Sequence, residues 1–99
     1  MQDYEAYDGL GLASLIAKGE VEAGAVLEAA IERLSNRDDR YRAVVIRMFE
    51  EARAQISAGL PQGPFRGVPF LLKDLHLAWP GVRLTNGSRL FEDSVPDIE

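Results

Sequence analysis

At 99 residues the chain is the size of one small domain, which excludes a large multidomain enzyme in one piece. Its 46% hydrophobic and 27% charged residues are the composition of a folded protein, neither disordered nor fibrous. Sixteen acids against eleven bases leave a net charge of −5, which argues against a surface that tracks phosphates and so against nucleic acid as a direct partner.

Cysteine is absent, which removes disulfide frameworks, thiol nucleophiles and cysteine-based zinc sites together. The start, MQDYEAYDGL, is acidic and polar, unlike a signal or transit peptide. No apolar run approaches the roughly 20 residues that span a bilayer. These features point to the cytoplasm, with no membrane contact, no metal and no cofactor.

The spacing of Leu12, Leu15 and Ile16 predicts a short amphipathic helix over about 9–18, with Gly19 as its stop. A second helix is expected over about 22–36. Leu27, Ala30, Ile31 and Leu34 fall on one face, and Glu28, Glu32 and Arg33 are left to solvent. Glu28 and Glu32 repel mildly at four residues' separation, a penalty that Arg33 softens. Asn36 to Arg40 reads as a polar break, with Asp38-Asp39 in a solvated loop.

Residues 42–48 change character. Val44, Val45 and Ile46 are β-branched and the pattern alternates, which predicts a strand. Phe49, Ala52 and Ile56 return to helical spacing over 49–58, supported by Glu50 and Arg53 three apart and stopped by Gly59 and Pro61. Leu60 to Gly67 holds two glycines and two prolines and must be a turn-rich loop. Residues 68–73 form a continuous apolar run, the pattern of a strand covered on both faces. Beyond Asp74 the chain is irregular, punctuated by Trp79-Pro80-Gly81 and Asn86-Gly87. The expected order is α-α-β-α-β-coil, an α/β arrangement. Two strands alone make no self-sufficient sheet, so the pattern reads as part of a larger domain.

Among the candidate functional residues, Lys73 comes first. An amine at the end of a buried strand pays a desolvation cost that favours its neutral form, and a neutral amine is a general base. The bland alternative is a lysine that snorkels to water or pairs with Asp74. Gly63 and Gly67 do not make a phosphate cradle, because Val68-Pro69 stands where a P-loop requires Lys followed by Ser or Thr. His76, the single histidine, reads as a loop residue. Asn86-Gly87-Ser88 matches a glycosylation acceptor but reads as a turn in a chain with no secretory signal.

The run Gly63-Pro64-Phe65-Arg66-Gly67-Val68-Pro69-Phe70-Leu71-Leu72-Lys73-Asp74 resembles the lysine motif of the amidase signature family, G-x-x-x-G-[VIL]-P-[FVI]-x-[VL]-K-D. Leu84 to Phe91 is similar to that family's next element, T-x-G-S followed by apolar residues. Gly9 to Leu34 resembles its two leading helices, and Tyr41 to Val45 its first strand. The resemblance covers nearly the whole chain. It implies a mixed β-sheet core covered by helices, of which residues 1–99 are the N-terminal part.

It also implies amide hydrolysis by a Ser, cis-Ser, Lys triad, acting on small-molecule amides. In that triad Lys73 is the base, backbone N–H groups of a glycine-rich segment form the oxyanion hole, and a homodimer is left open for the complete enzyme. The family's glycine- and serine-rich segment lies well downstream of the lysine. Here twenty-six residues follow Lys73, and Ser88 and Ser94 lack a glycine-rich setting. Glu22 stands where family members often carry a Ser or Thr cap, which weakens the start of the second helix. The expectation is an amidase piece that supplies Lys73 and is inactive alone. The alternatives are a non-catalytic helical interaction module and a part of a transfer-RNA-dependent amidotransferase that resembles its amidase component.

Overall fold

The structure is a computed structural model and describes residues 1–44, 46–72, 82, 83 and 95. The chain forms two compact units, Met1–Pro69 and Phe70–Glu99. The described part of the first holds a 3-10 helix, Tyr4–Ala6, followed by α1 (Gly9–Ala17), α2 (Ala23–Tyr41) and α3 (Phe49–Ala58).

α1 starts where its sequence supplies a cap. Asp8 is extended, and its carboxylate accepts the Gly11 N–H at 2.7 Å. This satisfies one orphan donor and places negative charge at the positive helix end. The other end closes on Gly19, whose φ of 74° only glycine adopts cheaply. The Gly19 N–H donates to the Ile16 carbonyl at 3.1 Å and the Glu20 N–H to the Leu15 carbonyl at 3.0 Å, the paired bonds of a Schellman motif.

α2 begins at Glu22 without a side-chain cap, as expected from a residue that is a poor N-cap. Its hold comes from packing. Leu12 and Ala13 of α1 and Val26, Leu27 and Ala29 of α2 are the buried apolar core of the described residues. Each fully buried valine or leucine contributes about 1.5–3 kcal/mol, so this small core leans on its few large side chains. The predicted inward residues Leu15, Ile16, Ala30, Ile31 and Leu34 are half-buried at its edge.

Arginines tie the remaining pieces to α2. The Arg33 guanidinium donates to the carbonyls of Ala29 at 3.1 Å and Gln2 at 3.2 Å and lies 5.0 Å from the centre of the Tyr4 ring. Glu5 takes an ion pair from Arg33 at 3.5 Å and another from Arg37, so the 3-10 helix is pinned across α2. On α3, Arg53 makes a two-pronged contact with Glu28, Nε to Oε1 at 2.7 Å and Nη2 to Oε2 at 3.1 Å, and also pairs with Glu50. The hydrogen bonds from Arg53 hold the Glu28 carboxyl below its ordinary range. The charge relief expected from Arg33 thus comes to Glu28 from Arg53, and Arg33 serves the N-terminus.

Two sequence expectations are corrected. The second helix does not stop at residue 36 but continues through Asn36–Arg40 to Tyr41. Asn36, Arg37, Asp39 and Arg40 form the exposed surface of its last turns, and Arg42 ends it in the left-handed region at φ 49°. Asp38 is not in a solvated loop: its carboxylate accepts the Val44 N–H at 3.1 Å and pairs with Arg47 at 3.5 Å.

The α/β fold class is also overturned, because the described residues carry helices and no strand. Of the predicted strand 42–48, the described residues are helix end and connector, with the Val44 N–H engaged by Asp38. Of the predicted strand 68–73, residues 68–72 form no ladder, and the Val68 N–H closes a turn onto the Phe65 carbonyl at 3.0 Å. Strand propensity expresses itself only against a neighbour that takes up the backbone N–H and C=O groups. At Val44 and Val68 local partners take up the N–H. Val45 and Lys73 lie outside the described residues, as do the turns Trp79-Pro80-Gly81 and Asn86-Gly87. No described helix is long and apolar enough to cross a membrane.

The core makes Leu27→Ala costly, by about 2–5 kcal/mol. The expected outcome is a lower urea midpoint for the 222 nm helix signal, and an unchanged midpoint would refute the assigned core. Asp38 gives a pH prediction. The Val44 N–H, then Arg47 and the Ala43 N–H, hold its carboxyl below the usual value. Stability from this latch is therefore complete above the unfolded pKa of about 3.9 and is lost as pH falls through the lower folded pKa. Asp38→Ala should speed amide exchange at Val44 at neutral pH, as acid does in the parent chain once the intrinsic pH dependence of exchange is divided out.

Candidate functional site

The stretch that the sequence singles out, Gly63 to Asp74, begins as a looped ledge on the first unit. Arg66 organises it: its Nε donates to the Leu60 carbonyl at 3.2 Å, and its backbone N–H donates to the Gly63 carbonyl at 3.3 Å. The following turn, Phe65 to Val68, places Gly67 at its third position with φ 85°, the position and sign that a type II turn demands of glycine.

Gly67 has a second constraint. A methyl group in place of its hydrogen would lie 3.0 Å from Ile16 Cδ1 and 3.1 Å from Ala23 Cβ. The backbone is therefore seated in the notch between the end of α1 and the start of α2. Phe65 anchors the other side of the loop, because its ring stands against Gly9, where an added Cβ would come within 3.2 Å. Gly63 has open space around it, so the two motif glycines do different work: one lets the backbone seat against the helices, and the other is unconstrained by neighbours.

Two open clefts flank this ledge. One, of about 340 Å³, lies among Ile16, Glu22, Ala23, Ile56, Leu60 and Arg66. The other, of about 540 Å³, runs along Leu10, Ser14, Gln62, Pro64 and Arg66. The first is lined mainly by apolar groups, the second by polar and apolar groups about equally, and Arg66 borders each.

Past the ledge the apolar run is exposed at Phe70, Leu71 and Leu72, which keep 83%, 67% and 45% of their accessibility. The expected burial of this stretch on both faces is not found. Lys73, the candidate base, lies outside the described residues, as do Asp74, His76, Ser88, Ser94 and the Leu84–Phe91 element. Among the described residues no group of three or more His, Asp or Glu side chains is placed to hold a metal ion. Ile16 and Ala23 escaped the sequence reading as partners of the motif. Ile16 reads as ordinary helix face, and nothing in its spacing announces that a glycine fifty-one positions later sits on it.

Comparison with known proteins gives the loop its context. The A-type subunit of glutamyl-tRNA(Gln) amidotransferase from Salinispora tropica is 34% identical over an alignment that takes in 100% of this chain and 21% of that protein. Its counterpart in Moorella thermoacetica is 38% identical over 89% of the chain. The 6-aminohexanoate-cyclic-dimer hydrolase of Pseudomonas sp. strain NK87 is 39% identical over 75% of the chain and 15% of its own length. Both kinds of protein are members of one family. The chain belongs to the amidase signature family. No family model matches it, and no solved structure does. The chain spans about a fifth of the length of the first of these amidase signature relatives.

The Gly67 seat predicts an asymmetry within the amidase signature lysine motif. Gly67→Ala must hold a left-handed residue, at about 1–2 kcal/mol, and push against Ile16 and Ala23 as well. Gly63→Ala meets neither constraint. Chemical denaturation of the two variants should show a clear loss for Gly67→Ala and a change within about 0.5 kcal/mol for Gly63→Ala; equal losses would contradict the seat.

Proposed function

We propose that this chain supplies the lysine base of an amidase that hydrolyses the carbon–nitrogen bond of small linear amides, with Lys73 as that base. The observation that carries the reading is the twelve-residue run from Gly63 to Asp74, which follows the lysine motif of the family to which the chain belongs. In the proposed reaction the neutral Lys73 amine accepts a proton relayed through the cis-Ser from the nucleophilic Ser. The serine oxygen attacks the amide carbonyl, and the resulting oxyanion is held by backbone N–H groups. Collapse of the tetrahedral intermediate breaks the C–N bond, and the leaving amine takes up a proton. Water then releases the acid from the acyl-enzyme and restores the serine. Both serines and the oxyanion donors belong to a glycine- and serine-rich segment that these 99 residues do not contain. The chain by itself is therefore inactive in this reading.

A second reading has a specific observation in its favour. Relatives aligned over the whole of this chain are components of glutamyl-tRNA(Gln) amidotransferases, so water could still take the acyl group from the serine while the ammonia released from the amide passes to an acceptor instead of leaving into solvent. An activity confined to a charged transfer RNA acceptor, with simple amides untouched, would favour it. The runner-up from another class, a free-standing interaction module, leaves Lys73 with no role.

Lys73→Ala, made in a complete domain carrying this chain, should lower kcat for a simple amide by about 10²–10⁴-fold. Lys73→Arg should be equally damaging, because a guanidinium stays charged and takes up no proton. Competitive acylation provides a direct check, with Lys18, the other lysine of these 99 residues, as internal reference. A Lys73 amine titrating at or above about 10.4 in that domain would overturn the neutral-base assignment. The 99-residue chain alone should turn over no amide, and hydrolysis that is lost in its Lys73→Ala variant would refute the claimed inactivity.

A further inference from the structure

No further inference is drawn: the strongest candidate, the exposed apolar run Phe70–Leu72 that follows the Gly63–Gly67 ledge, is an unpartnered face, and nothing in the structure shows what covers it.

Discussion

Packing onto α2 is the constraint on which the rest of the first unit depends: the 3-10 helix and α3 both contact it. Leu12 and Ala13 of α1 and Val26, Leu27 and Ala29 of α2 are the buried side chains of the described residues. The turn that brings the two helices together depends on Gly19, whose left-handed φ lets the chain reverse within a few residues. Once the helices are joined, Ile16 and Ala23 stand side by side and leave a notch that only a glycine backbone enters, and Gly67 occupies it. Gly67 is thus seated against the end of α1 and the start of α2.

Around this junction, charged groups fix elements that the small core does not bury. Arg33 draws the N-terminal segment onto α2 through backbone carbonyls, a carboxylate and an aromatic ring. Arg53 joins α3 to α2 through the two oxygens of Glu28. Exposed ion pairs add little stability one at a time, about 0–1 kcal/mol. The forked geometry of a guanidinium on a carboxylate instead sets orientation. Packing supplies most of the free energy, and the arginines set how the pieces register on α2. Nine of the eleven basic residues are arginine, which suits that division of work.

The family relationship gives the run Gly63 to Asp74 its context, and the fold shows how part of that run is built. Within Gly63 to Asp74, the first half is a structural ledge and the second half leads toward the lysine. The ledge is seated on helices that the chain itself supplies. The apolar residues after it, Phe70 to Leu72, are left exposed. Large apolar groups in one run are uncommon on the surface of a self-contained protein. This exposure is in keeping with a chain that matches about a fifth of the length of a longer relative.

The helices were legible in the amino-acid order because their signals are local. Apolar residues three and four apart mark the inward face, of which Leu12 and Leu27 are buried, and Gly19 and Gly59 are stops. Each acts within one turn of its own position. The resemblance of Gly63 to Asp74 to the family's lysine motif can be read from the sequence for a similar reason, because it is a contiguous run. The strands cannot, since β-branched runs such as Val44 to Ile46 specify a strand only when a second strand accepts their hydrogen bonds. That partner is a matter of tertiary arrangement. Here Asp38, reached because α2 continues past its apolar stripe, takes the Val44 N–H instead. The same distinction separates the two halves of what is known about Gly67. Its turn was written in the loop's composition, whereas its seat between Ile16 and Ala23 exists only once the chain has brought it back to two consecutive helices far from it in sequence.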